Sequence, residues 1–181
     1  MNLITKRVHM NRCNGREVKQ LTLDRDFNVP DARPDALQIM KEQGEVQIEE
    51  VHMMEGKASV KGLLHFQILY ASDGDIPVSE MTGTIPFEET ISLPQAKAED
   101  EISVQAEIGD LKSELINSRK LGMKAIVVLN VTAGSVCDGE GAIDIEGGED
   151  IYTKKRAAEV SYLVFSKKDT LRVRDEWKIP G

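Results

Sequence analysis

Three histidines, two cysteines and two pairs of adjacent glutamates are the residues of this chain best suited to chemistry. His9, His52 and His65 show neither HxH nor HxxxH spacing, so no two of them can share a metal ion from one helix or strand. They read as solvated surface residues. Cys13 and Cys137 have no CxxC partner and no neighbouring base, so they read as two unpaired thiols, with Cys13 placed in a turn at Asn14-Gly15. Glu49-Glu50 and Glu88-Glu89 offer the carboxylates a glycosidase needs. Adjacent residues on a strand point to opposite faces, however, so neither pair can flank one scissile bond.

Phosphate and calcium chemistry fare no better. The glycine-rich run GEGAIDIEGGED lacks the Lys and Ser/Thr of a phosphate cradle, and its acids repel phosphate. It also lacks the spaced ligands of an EF-hand loop. No GxSxG, GxGxxG or P-loop is present, so no catalytic residue, metal or cofactor is expected. Aromatics make up 4% of the chain, too few for a stacking platform of the carbohydrate-binding kind, although a glycan- or peptidoglycan-binding module remains the alternative reading. A net charge of −8 argues against nucleic acid, whose phosphates call for Lys and Arg.

Two charged groups remain. Asp31, Arg33 and Asp35 surround one Pro-rich segment, and Asn117, Arg119 and Lys120 lie together far downstream. One reading is structural: a carboxylate of the first group pairs with Arg119, whose planar fork bonds a carboxylate at two points. The other is a polar recognition patch.

The elements that would position these groups are mostly strands. In KASVKGLLHFQILY, Ala58, Val60, Gly62, Leu64, Phe66, Ile68 and Tyr70 share one face. LGMKAIVVLNV places Leu121, Met123, Ala125, Val127, Leu129 and Val131 together and carries Ile126 and Val128 on its other face, as a central strand does. EISVQAEI alternates through Ile102, Val104, Ala106 and Ile108. EVQIEEVHM slips at Glu49-Glu50, which suggests a β-bulge. Glu55-Gly56 joins residues 45–70 into a hairpin, and a further strand pair is expected near Met81–Ile85 and Phe87–Leu93, with Pro86 at an edge or bend.

PDARPDALQIMKEQG breaks the pattern. Asp35 with Gln38 resembles a capping box, Pro34 cannot continue a strand, and Gly44 can end a helix, so a short helix is expected near residues 34–43. Residues 110–117 fit helix or strand equally. The fold class is therefore all-β and mostly antiparallel: a sandwich or partly open barrel of about seven to nine strands with one short helix. The longest apolar runs are far below the ~20 residues of a membrane span, and the opening segment has no signal-peptide pattern.

Residues 133–150, rich in glycine and acids, read as a linker between a β domain at 1–132 and a last segment, 151–181. That segment echoes the start. LRVRDEWKIP resembles LTLDRDFNVP, setting Leu171 on Leu21, Val173 on Leu23, Trp177 on Phe27, Ile179 on Val29 and Pro180 on Pro30. It reads as the beginning of a second repeat, with Leu171, Val173, Trp177 and Ile179 as a strand-pairing face that supports self-association.

NVPDARPDALQIM, GEVQIEEVHMMEGKASVKGLLHFQILY, GTIPFEETISLP, EISVQAEI and ELINSRKLGMKAIVVLNV, in that order, resemble the SPOCS domain of SipL-type spore morphogenetic proteins. The likeness covers about residues 15–132. Its most distinctive blocks hold Val29, Pro30, Asp31, Pro34 and Asp35, and Ile116, Asn117, Arg119 and Lys120. The resemblance implies a non-enzymatic structural module of tandem β domains in spore coat and cortex assembly. It would act in the mother-cell cytoplasm, with other spore-envelope morphogenetic proteins as partners. The LysM module that often ends such proteins has no counterpart in these residues, so the resemblance names no specific partner.

Overall fold

The structure, a computed structural model, describes residues 2–73 and 75–147, with single positions at 152, 154, 156, 157 and 159 beyond them. The segment carrying Leu171, Val173, Trp177 and Ile179 lies outside the described residues, as does the rest of the apparent second repeat, 151–181, apart from those single positions. Six strands follow in order: β1 (Asn2–Asn28), β2 (Asp35–Met54), β3 (Lys57–Asp73), β4 (Val78–Ser92), β5 (Glu101–Asn117) and β6 (Lys120–Glu146). They form two three-stranded sheets, β1-β6-β5 and β2-β3-β4. The chain divides into two compact units, one of residues Arg12–Ser135 and one of Met1–Asn11 with Val136–Gly181.

Within the 12–135 unit the two sheets share an apolar interior. The alternating faces foreseen for β3 and β6 are the buried ones: Val60, Leu64, Ile68 and Tyr70 on β3 and Leu121, Val127, Leu129 and Val131 on β6 are all excluded from solvent. One cluster joins Val60, Phe87 and Ile91 to Val127, Leu129 and Val131. A second joins Leu64, Phe66 and Ile68 to Leu121, Met123 and Ala125. Such burial is the main favourable term in folding, at roughly 25 cal/mol per Å² of apolar surface. β6 is the middle strand of its sheet, and on its other face Ile126 and Val128 are half-buried.

Several expectations are corrected. No helix occurs among the described residues, and the expected one at 34–43 is the start of β2. The register of β2 on β3 skips Leu37, Met40 and Glu49. Each skipped residue is a bulge that lengthens the inward spacing from two to three, so Ala36, Ile39 and Glu42 face inward at helix-like intervals. Leu37 and Met40, the apolar residues at the bulges, are about 60% exposed. The bulge anticipated at Glu49-Glu50 is present.

Among the described residues the count is six strands, not seven to nine, partly because residues 78–92 form one strand. Pro86 lies within it, paired with Leu63 at the sheet edge, where its missing N–H costs no ladder bond. Residues 110–117 are strand, and the register skips Gly109, which moves the inward face from even positions to Leu111, Ser113 and Leu115. Residues 133–146, read as linker, are the second half of β6. Asn14-Gly15, read as a turn, lies inside β1.

Candidate functional site at the Arg119 clamp

The two charged groups found in the sequence meet in space. Pro30–Arg33 closes a turn between β1 and β2, with the Arg33 N–H donating to the Pro30 carbonyl at 2.9 Å. The tight turn from β5 to β6, Asn117 to Lys120, docks on it. Val29 N–H donates to the Arg119 carbonyl at 2.8 Å, and Ala36 N–H donates to the Ser118 carbonyl at 2.8 Å. The Asn117 side chain accepts from the Arg119 N–H at 2.9 Å and shapes the turn.

The Arg119 guanidinium then uses both arms of its fork. Nη1 donates to the Arg33 carbonyl at 2.7 Å and to Asp35 Oδ1 at 3.2 Å. Nη2 donates to the Val29 carbonyl at 3.1 Å and to Asp31 Oδ1 at 3.3 Å. Ser118 Oγ donates to the other Asp35 oxygen at 2.8 Å. Asp35 is thus held by two partners from the opposite sheet rather than capping a helix. Tyr70 on β3 donates its hydroxyl to the Pro34 carbonyl at 3.3 Å, tying the same connection to the interior of β2-β3-β4. At the rim, Lys120 pairs with Asp26 at 2.6 Å and Arg33 with Glu80 at 3.8 Å.

The arrangement satisfies backbone carbonyls and joins two sheets. Every acceptor of the guanidinium belongs to the protein, so its capacity for an external ligand is largely used. Asp31 is fully exposed and contributes little. Ser118 and Asp26 escaped the sequence reading, which placed Tyr70 on the apolar face of its strand without its hydroxyl's role. Ser118 sits between Asn117 and Arg119, so its neighbours were the signal. Nothing in the chain order announces Tyr70 or Asp26.

The other candidates stay apart. His52 pairs with Glu50 at 2.7 Å, and that hydrogen bond, with the charge of His52 second, holds the Glu50 carboxyl below its usual range. Arg7 and His9 flank Asp138, whose carboxyl is lowered chiefly by the hydrogen bond from Arg7. Cys13 and Cys137 are both free thiols. His65 departs from the expected solvated state: it is half-buried on the outer face of β3, and its Nε2 is buried without a hydrogen-bond partner.

One buried polar knot was not foreseen at all. Asp100, only 6% exposed, accepts from the Lys97 N–H and from Asn14 Nδ2, each at 2.9 Å. The same Asn14 amide reaches Ser135 at 2.9 Å. These bonds, the Lys97 N–H first and Asn14 second, outweigh burial and hold the Asp100 carboxyl below the usual carboxylate range.

No group of three or more His, Cys, Asp or Glu among the described residues is placed to hold a metal ion. No helix among them is long and apolar enough to cross a membrane. Neither a curated protein nor a solved structure matches the chain. Residues 35–116 match the family described as SipL, SPOCS domain. That span runs from the Asp35 end of the clamp through β2, β3 and β4 and nearly all of β5. Over that stretch, somewhat less than half of its length, the chain is therefore similar to the SPOCS domain of the SipL family.

Proposed function

We propose that the chain is a non-enzymatic structural module that assembles with other morphogenetic proteins of the bacterial spore envelope, in the cytoplasm on the mother-cell side of the forming spore. The SPOCS similarity supports a role in sporulation. The observation that carries the interaction reading is the free edge of β4. Its inner neighbour is β3, and among the described residues no strand pairs with its far edge. An unpaired edge is a template for an added strand.

The edge also has a chemical character. β4 contains Glu80, Glu88 and Glu89 and no Lys or Arg. Lys19 of β1 reaches Glu89 at 3.2 Å, so the open stretch is the part before Pro86. The occupant that fits is an extended segment of another envelope protein, apolar at alternate positions, with a basic residue that joins Arg33 and Gln67 at Glu80. Exposed Val78 and Ile76 lie at the start of this stretch.

The test is a fluorescent fusion of the chain in sporulating cells, with and without Thr82→Lys and Thr84→Lys, two charges that blunt the edge. The wild type collects at the forming spore, and the double variant disperses while keeping its thermal midpoint. Equal localisation of the two would remove β4 as the docking edge.

A further inference from the structure

The outer face of the other sheet holds a feature that the edge-docking reading does not use. A shallow trough of about 590 Å³ is lined by Arg16, Ser103, Gln105, Asn130 and Thr132. β6 is the middle strand, and alternation turns Asn130 and Thr132 outward while Leu129 and Val131 are buried. Gln105 is the register partner of Asn130, and Ser103 of Thr132. Arg16 comes from β1, on the far side of β6.

The composition of this trough runs against that of the chain. The protein carries a net charge of −8, yet the lining holds one guanidinium, two amides, two hydroxyls and no carboxylate. Lys19, Lys120 and Lys124, which also stand on β1 and β6, each have a carboxylate within 3.4 Å. Among the described residues Arg16 has no such partner, and the four neutral side chains make no hydrogen bond to the protein. Their donors and acceptors therefore point at solvent.

We propose that this trough binds a carboxylate-bearing sugar chain. The Arg16 fork takes the carboxylate in a bidentate pair, and Gln105, Asn130, Ser103 and Thr132 exchange hydrogen bonds with ring hydroxyls. A peptide strand is disfavoured because β6 is paired on both sides and leaves no backbone edge to extend. A nucleic acid would need several cations against its phosphates, and the trough offers one. No aromatic ring lines it, so affinity rests on hydrogen bonds and is weak, on the order of 0.1–1 mM.

The experiment is an amide-resonance titration of the intact chain with three probes: tetragalacturonate, the neutral galactotetraose, and tetraglutamate, each to about 5 mM. Tetragalacturonate shifts the amides of residues 16, 103–105 and 130–132. Its binding weakens about tenfold or more in Arg16→Gln, the scale of one charged hydrogen bond, and also weakens in Asn130→Ala. Arg16 is exposed, so the spectrum elsewhere stays unchanged. Galactotetraose binds more weakly than the acid. Absence of shifts, shifts centred elsewhere, or an Arg16→Gln titration equal to wild type overturns the proposal. Tetraglutamate binding as tightly as the uronate would assign the trough to acidic peptides and overturn the sugar reading.

Discussion

The Arg119 guanidinium and the Asp35 carboxylate lie 3.2 Å apart across 84 residues of sequence, joining the β5–β6 turn to the first residue of β2. The same guanidinium serves the Val29 and Arg33 carbonyls, so its removal strands acceptors as well as a carboxylate. Hydrogen bonds to charged groups are worth ~1.5–3 kcal/mol, reduced here because the Arg119 side chain is 35% exposed. Arg119→Ala is expected to cost about 1–2 kcal/mol in urea denaturation. Arg119→Lys should recover less than half of that, since one ammonium cannot span the four acceptors. Asp31→Ala should leave the midpoint unchanged.

Two glycines are covered by aromatic rings from the neighbouring strand. Gly62 pairs with Phe87 and Gly83 with Phe66. A Cβ at Gly83 would collide with Phe66 Cζ, and one at Gly62 would stand 2.5 Å from Phe87 Cζ. Phe66 is fixed further by an edge-on contact with Phe27, 4.6 Å between centroids. Gly83→Ala should therefore destabilise by about 1–3 kcal/mol, the usual cost of overpacking. Adding Phe66→Leu should make the double variant more stable than the sum of the two single losses implies. Strict additivity in a denaturation cycle would show that the ring does not rest on the glycine.

Asp100 predicts a pH dependence of known sign. Its folded-state pKa is depressed, so the folded chain binds that proton less readily than the unfolded chain. The stability it contributes is present above the unfolded value of ~4 and disappears as pH falls through the lower folded value. Asp100→Asn should melt below the wild type at pH 7, and the gap should narrow on acidification below about pH 4. A gap of constant size across that range would mean that the carboxylate charge plays no part.

His65 predicts the opposite outcome for a polar deletion. Its Nε2 is buried without a partner, a state that costs about 1–3 kcal/mol. Replacing the ring by an apolar side chain removes that cost. His65→Leu is expected to leave stability unchanged or raise it by up to about 1 kcal/mol in thermal melts. A loss above that size would reveal a partner for the imidazole.

What could be read from the chain depended on strict alternation. β3 and the first half of β6 were legible because every second residue is apolar from Ala58 to Tyr70 and from Leu121 to Val131. The start of β2 was misread because bulges at Leu37 and Met40 give a strand the spacing of a helix. Pro34 and Asp35 added plausible start chemistry, while Asp35 in fact turns to Ser118 and Arg119. The end of β6 was missed because the residues at its alternate positions are small: Ala133, Cys137, Gly139 and Gly141. Of the clamp, the participating residue types were visible and their meeting was an expectation. The Asp100–Asn14 knot spans 86 residues with no motif at either end, so no local signal could reveal it.

The claim that this domain works by lending a sheet edge to a partner is tested most directly by site-specific photo-cross-linking in sporulating cells. A photoreactive residue at Thr84 on β4 is expected to give a discrete protein adduct in the spore-envelope fraction, and the same group at exposed Lys124 on the other sheet should give none. An adduct at Lys124 with nothing at Thr84 would contradict the account.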